Sequence, residues 1–208
     1  MTIRAVVVDI GGVLERVDDG EPELLLARWE QRMTRPAGEV LAALAEHAPG
    51  DTIGTGHVTE QRLRSILATA LGLDDGEADE PMAEMWDAYC GELDVEMRDF
   101  VASLRPRLKT AILSNSADGA RREEQRRYDF AGLVDELVYS HEVGMQKPDP
   151  AIFRLTEQRL GVQPDEVVFV DDVEANVIAA RELGWHAVLH RGDTRRTIDE
   201  VNSLLAPR

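Results

Sequence analysis

Apolar positions along this chain follow two rhythms. Five short runs are almost continuously aliphatic: Ala5–Asp9, Thr110–Ser114, Glu136–Tyr139, Val167–Asp171 and His186–His190. Runs of that length without polar alternation read as strands covered on both faces. Between the later runs, apolar residues recur with helical spacing over Ala117–Tyr128, Ala151–Leu160, Val173–Leu183 and Thr194–Leu205. Strand and helix in alternation predict parallel strands joined by right-handed crossovers, hence a doubly wound α/β sheet. Gly161 and Gly184 stand where two of these helices should stop, and Pro164 opens the turn into the fourth strand.

The first crossover breaks this rhythm. Between Leu14 and Leu108 the pattern predicts helices at Pro22–Arg32, Ala37–His47, Thr59–Leu71, Pro81–Tyr89 and Val95–Leu104, and no strand. Thr59 has the side chain of an N-cap. The acidic, glycine-containing segment Asp74–Glu80 reads as a loop. The expected organisation is a core domain from residues 1–15 and 92–208, with a helical cap of residues 16–91 over the carboxyl edge of the sheet.

Composition narrows the function classes. A formal charge of −17 over 208 residues repels polyanions, so nucleic acid and anionic membrane surfaces are not expected partners. A small anion remains acceptable where a local cation reverses the field. The single cysteine, Cys90, excludes an internal disulfide and a cysteine-based zinc site, and reads as a small core residue. Neither a signal-peptide pattern nor an apolar run of membrane-spanning length opens the chain, so a cytoplasmic location is expected. Nothing in the chain specifies an oligomeric state.

Four groups of chemically able residues fall at strand ends, where open α/β sheets bind ligands. Asp9 ends the first apolar run and is followed by Gly11 and Gly12, which allow a sharp turn and a close backbone approach. It is either a reactive carboxylate or a cap for that turn. Ser114, Asn115 and Ser116 end the second run; hydroxyls and N–H groups there suit a phosphate oxygen or a helix cap. Lys147 lies in Gly144-Met145-Gln146-Lys147-Pro148-Asp149-Pro150. Of the 23 basic residues only Lys109 and Lys147 are lysine, so position 147 has kept a compact ammonium in an arginine-biased chain. The other reading is a solvated loop lysine. Asp171 and Asp172 close the fourth run, with Asn176 one turn further on. Adjacent carboxylates suit Mg²⁺, whereas an N-cap needs only one of them. Together these groups are equipment for phosphoryl transfer through an aspartyl-phosphate.

In the order and spacing of all four groups the chain resembles the haloacid dehalogenase-like hydrolase superfamily, over nearly its whole length. Asp9-Ile10-Gly11-Gly12-Val13-Leu14 resembles the first family motif, Ser114 the second, Lys147-Pro148 the third, and Asp171-Asp172 with Asn176 the fourth. The resemblance implies a Rossmann-like sheet of order 5-4-1-2-3 with a helical cap inserted after the first motif. Gly56-His57-Val58-Thr59-Glu60 resembles the usual cap turn. It also implies site roles: Asp9 as nucleophile; Mg²⁺ held by Asp9, the Gly11 carbonyl and Asp172, helped by Asp171; Ser114, Asn115 and Lys147 holding the phosphoryl group; Asn176 supporting from behind.

One position departs from the pattern. Phosphatases of this superfamily usually carry a second aspartate two residues after the nucleophile, as general acid and base, and here it is Gly11. Some members resembling sugar-phosphate phosphatases share that glycine. The expected activity is Mg²⁺-dependent hydrolysis of a small phosphorylated metabolite, with a sugar phosphate as one candidate. The alternatives are a 2-haloacid dehalogenase, which has no use for the Asp171-Asp172 pair, and a binding or regulatory protein without turnover. Phosphonate cleavage needs a cap lysine, and residues 15–108 hold none. Cap residues Trp29, His47, His57, Trp86 and Tyr89 are candidates to face the site. Arg121–Arg127 reads as a solvated helix face with internal Glu–Arg pairs.

Overall fold

The computed structural model describes residues 2–17, 21–74 and 76–206. Seven strands are described: β1 Ala5–Val8, β2 Glu15–Arg16, β3 Glu92–Leu93, β4 Lys109–Ser114, β5 Glu136–Tyr139, β6 Val167–Asp171 and β7 His186–Leu189. The helices are α1 Glu21–Arg32, α2 Glu39–His47, α3 Gly50–Gly54, α4 Glu60–Leu71, α5 Asp79–Cys90, α6 Val95–Leu104, α7 Ala120–Tyr128, α8 Phe130–Leu133, α9 Ser140–Val143, α10 Pro150–Leu160, α11 Glu174–Glu182 and α12 Thr194–Leu205. A short 3₁₀ turn at Pro164–Glu166 leads into β6.

Five strands form one parallel sheet in the order β5-β4-β1-β6-β7. With these five strands numbered in chain order, this is the expected 5-4-1-2-3 read from the opposite edge. Successive side chains of β1 leave by opposite faces. Val6 and Val8 join Met97 and Val101 of α6, Phe130 of α8 and Val201 of α12. Ala5 and Val7 join Ile152 and Phe153 of α10, Val177 of α11 and Trp185. Both faces are covered by helices, which is why the strands read as unbroken apolar runs. A third cluster, with Leu25, Trp29, Val40, Leu67 and Met82, holds α1, α2, α4 and α5 together.

Several expected boundaries shift. The absence of strand between Leu14 and Leu108 is incorrect: β2 and β3 pair antiparallel, Glu15 opposite Leu93 and Arg16 opposite Glu92. Two residues per strand are too few to show any period. Asp94 fastens this strand pair, accepting from Met97 N–H at 2.9 Å, Arg16 Nη2 at 2.8 Å and Thr194 Oγ1 at 2.6 Å. The expected loop Asp74–Glu80 is shorter, because α5 already starts at Asp79; Asp75 lies outside the described residues. Residues 18–20 of the expected cap also lie outside them. Helix α7 starts at Ala120, not Ala117, because Gly119 before it is left-handed at φ 98°. Thr59 caps α4 as expected, accepting from Arg62 N–H at 3.2 Å. Gly161 caps α10 at φ 61°, and Cys90 is fully buried. Among the described residues no helix is long and apolar enough to cross a membrane.

Candidate active site

Strand β1 delivers Asp9 to the carboxyl edge, and its N–H still bonds to Val170 O of β6 at 2.9 Å. The chain then turns tightly around one acceptor: Ile10 O receives the N–H groups of Val13, Leu14 and Glu15. Gly12, at φ 71°, has the left-handed backbone that favours glycine, and a Cβ there would run into the Asp172 carboxylate. Gly12 therefore lets the fourth-strand carboxylate approach the first-strand turn. Gly11 is different: among the described residues, its chain neighbours apart, no heavy atom lies within 4 Å of where its Cβ would stand.

Lys147 is not a solvated loop lysine. It is 2% exposed, and its Nζ lies 2.7 Å from Asp9 Oδ2 and 2.7 Å from Asp171 Oδ2. Its backbone is clamped by the residue that follows β4. Asn115 Oδ1 accepts from Lys147 N–H at 2.8 Å, while Asn115 Nδ2 donates to Lys147 O at 2.8 Å. The Asn115 amide thus positions Lys147, a task not anticipated from the sequence. The Lys147–Pro148 peptide is cis.

Asp171 is fully buried and fully engaged. It accepts from Val173 N–H at 2.8 Å and from Asn176 Nδ2 at 3.0 and 3.2 Å, besides the Lys147 ammonium. Asn176 lies on the first turn of α11. Asp172 is exposed, and Asp9, Asp171 and Asp172 each offer an oxygen within 4.8 Å of the others.

The charges do not balance: three carboxylates face one ammonium. Burial pushes the Asp9 carboxyl up to about 8, opposed by Lys147 and reinforced by Asp171. Burial likewise raises Asp172, with Asp171 next in importance. For Lys147 burial disfavours the charge, yet Asp9 and Asp171 outweigh it and hold the ammonium above its usual range. Three clustered oxygen donors carrying surplus negative charge suit a hard divalent cation such as Mg²⁺. The donor set therefore fits that metal.

Ser114 closes β4 and is buried; its Oγ lies 3.4 Å from Asn115 O, too long for a strong bond. Neither it nor Asn115 caps α7, whose N-cap is Gly119 without a side-chain bond. Ser116 N–H donates to Ser140 Oγ at 2.8 Å, and Ser116 Oγ pairs with His141 Nδ1 at 2.8 Å. His141 escaped sequence reasoning, although it follows the end of β5 at the same sheet edge. Burial holds its imidazole below the usual range.

A second buried acidic group is formed by Glu15 of β2 and Glu124 of α7. Glu15 and Glu124 are 1% and 0% exposed, and each leaves Oε1 without a partner among the described residues. Tyr139 OH donates to Glu124 Oε2 at 2.5 Å. Burial pushes Glu15 up to about 9 and Glu124 up to about 7. The expectation of a wholly solvated Arg121–Arg127 face is corrected here. Arg122 and Arg126 do pair with Glu123 outside, but Glu124 points into the protein. Trp86 and Tyr89 of the expected cap residues border a cavity that reaches Asn115 and Ser116. Trp29 is buried among α1, α2, α4 and α5 instead, and His47 and His57 lie outside that cavity.

Comparison with known proteins places this geometry. The sequence profile of the haloacid dehalogenase-like hydrolase family matches residues 3–184. The chain is 28% identical to mouse (Mus musculus) acyl-CoA dehydrogenase family member 10 over 97% of its length, covering 19% of that protein. It spans between 19% and 39% of the length of three long curated relatives. Coverage is nearly mutual with D-ribitol-5-phosphate phosphatase of Bacteroides thetaiotaomicron, 25% identical over 88% of this chain and 89% of that one. Among solved structures, a HAD family enzyme from Bacteroides thetaiotaomicron in complex with magnesium and inorganic phosphate has the same fold. It superposes with a TM-score of 0.74 at 20% identity, covering 92% of this chain and 96% of that one. The strand order, the helices on both faces and the profile match agree: the chain belongs to the haloacid dehalogenase-like hydrolase family.

Proposed function

We propose that this hydrolase is a Mg²⁺-dependent phosphomonoesterase with Asp9 as its nucleophile and residues 16–91 as its cap. The observation that carries the reading is the buried Lys147 ammonium, 2.7 Å from both Asp9 and Asp171 with Asp172 beside them. An ammonium and clustered carboxylates at the edge of a parallel sheet are what a transferring phosphoryl group requires. Two relatives support it, one named as a sugar-alcohol phosphate phosphatase and one holding magnesium and phosphate.

Asp9, Asp172 and the Gly11 carbonyl, helped by Asp171, would hold Mg²⁺, which when bound neutralises charge on the phosphoryl oxygens. An Asp9 oxygen attacks phosphorus, and the bond to the leaving oxygen breaks. The leaving oxygen takes its proton from water, since Gly11 has none to give. Water then attacks the same phosphorus, the bond to Asp9 breaks, and inorganic phosphate departs with Asp9 restored. Lys147 and the Ser114 hydroxyl hold phosphoryl oxygens through both steps. Asn115 keeps the Lys147 backbone in register and Asn176 keeps Asp171 oriented, so both serve as positioning residues.

Phosphate release from a panel of phosphomonoesters, with and without Mg²⁺, tests the proposal against an Asp9→Asn control. Metal-dependent release that disappears in the variant is the expected result. Halide release from 2-haloacids without metal overturns it in favour of a dehalogenase. Binding of phosphate esters without turnover points to a protein that has lost catalysis at Gly11.

A further inference from the structure

The cavity that opens beside Asn115 and Ser116 has a volume of about 470 Å³, within the range of sites for small organic ligands. Its two sides differ in character. The core contributes Asn115, Ser116 and Gln146, the last adjoining Lys147 in sequence. The cap contributes Leu44 of α2, Ile53 of α3, Leu63 of α4, and Met85, Trp86 and Tyr89 of α5, mostly apolar apart from the Tyr89 hydroxyl. Trp86 turns its polar edge away from this cavity, because its Nε1 donates to Glu60 Oε1 at 2.8 Å. Among the described residues that line the cavity, none is charged.

Resting on the phosphatase reading, we infer that the leaving group of the natural substrate is uncharged and mainly apolar. The ligand that matches this cavity is itself two-sided, with a phosphate at Lys147 and a hydrocarbon or aromatic body under the cap. A second phosphate, a carboxylate or an ammonium would be desolvated there with no countercharge. A polyol would set hydroxyls against Leu44, Ile53, Leu63 and Met85 without partners, and unmade hydrogen bonds are costly. An apolar body gains by leaving water. Position 11 points the same way. Without a general acid the site is best served by a leaving oxygen of low basicity, and a phenol meets that need while fitting the aromatic wall.

Three probes separate this inference from the reading on which it rests. Acetyl phosphate has a good leaving group and no body to fill the cavity, so it reports phosphoryl chemistry alone. n-Octyl phosphate and ribitol 5-phosphate are both primary alkyl esters, and differ chiefly in the polarity of the body. With Mg²⁺ present, acetyl phosphate should be hydrolysed, and kcat/KM for octyl phosphate should exceed that for ribitol 5-phosphate by roughly tenfold or more. Met85→Gln should erase most of that preference, and a thermal unfolding transition like the parent's shows that the variant folds. Equal or faster hydrolysis of ribitol 5-phosphate overturns the apolar substrate class and leaves the phosphatase standing. No release from acetyl phosphate overturns both. A Met85→Gln protein that keeps the preference for octyl phosphate shows that the cap wall does not set it, and also overturns the inference.

Discussion

Gly11 and Gly12 are neighbours with opposite reasons for being glycine. At Gly12 the left-handed backbone and the closeness of Asp172 both exclude a side chain. At Gly11 there is open space, so an aspartate can be accommodated where the family usually has one. Gly11→Asp is therefore expected to raise kcat/KM for esters with poor leaving groups, within the roughly hundred- to ten-thousand-fold that general acid–base catalysis contributes. Steady-state kinetics against leaving-group pKa measure this; an unchanged dependence would place proton transfer elsewhere. Lys147 allows a complementary prediction. Lys147→Arg keeps the charge but puts a planar fork where a point charge touches two carboxylates at 2.7 Å in a buried site. It should cost at least tenfold in kcat and lower the melting temperature, and full activity would contradict the role given to that ammonium. Lysine at 147 was legible because the chain has so little lysine. The Asn115 clamp on its backbone was not, since it joins residues 32 apart.

At the scale of elements, α7 shows what periodicity misses. Its strongly charged sequence reads as solvent-facing, yet one carboxylate of the set, Glu124, is fully buried against Tyr139. Its folded pKa is raised from an ordinary value of 4.5 to about 7, chiefly by burial. The folded state then binds the proton more tightly than the unfolded one, so stability falls as pH rises from about 4.5 to about 7. Glu124→Gln should flatten that slope and make the protein more stable than the parent at pH 8, by about 3 kcal/mol at most. Thermal or urea unfolding at pH 5 and pH 8 measures it; parallel profiles for parent and variant would mean that the carboxyl is not held protonated. Helix α4 is the opposite case. Thr59 was legible as its N-cap because capping is local, and Thr59→Ala should cost about 1 kcal/mol. The β2–β3 pairing was not legible, because its register joins Glu15 to Leu93, far apart in the chain.

At the scale of the molecule, a chain of net charge −17 gathers three of its carboxylates around one ammonium at the sheet edge. A divalent cation bound there relieves the surplus charge only in the folded state. Mg²⁺ at a hundred times its dissociation constant should therefore raise the unfolding free energy by about 2.7 kcal/mol, and chelation should reverse it. Differential scanning calorimetry detects the shift, which Asp172→Asn should reduce or abolish. An equal shift in that variant would move the metal away from these residues.

What the sequence determined by itself is what local patterning can encode: apolar runs that must be covered on both faces, the strand–helix alternation, and reactive residues at strand ends. Parallel topology makes that last point strong, because every such strand presents its C-terminal end at the same edge of the sheet. What only the tertiary structure decided depends on long-range contact. The β2–β3 pairing, the Asn115 clamp, the buried Glu15 and Glu124 carboxyls and the apolar wall of the cavity each join segments whose residues give no local sign of one another. Burial and neighbouring charges set the charge state of a carboxyl, and both are products of packing. The physical reason is that a side chain's type is written in the chain, whereas its dielectric surroundings exist only once the chain has folded.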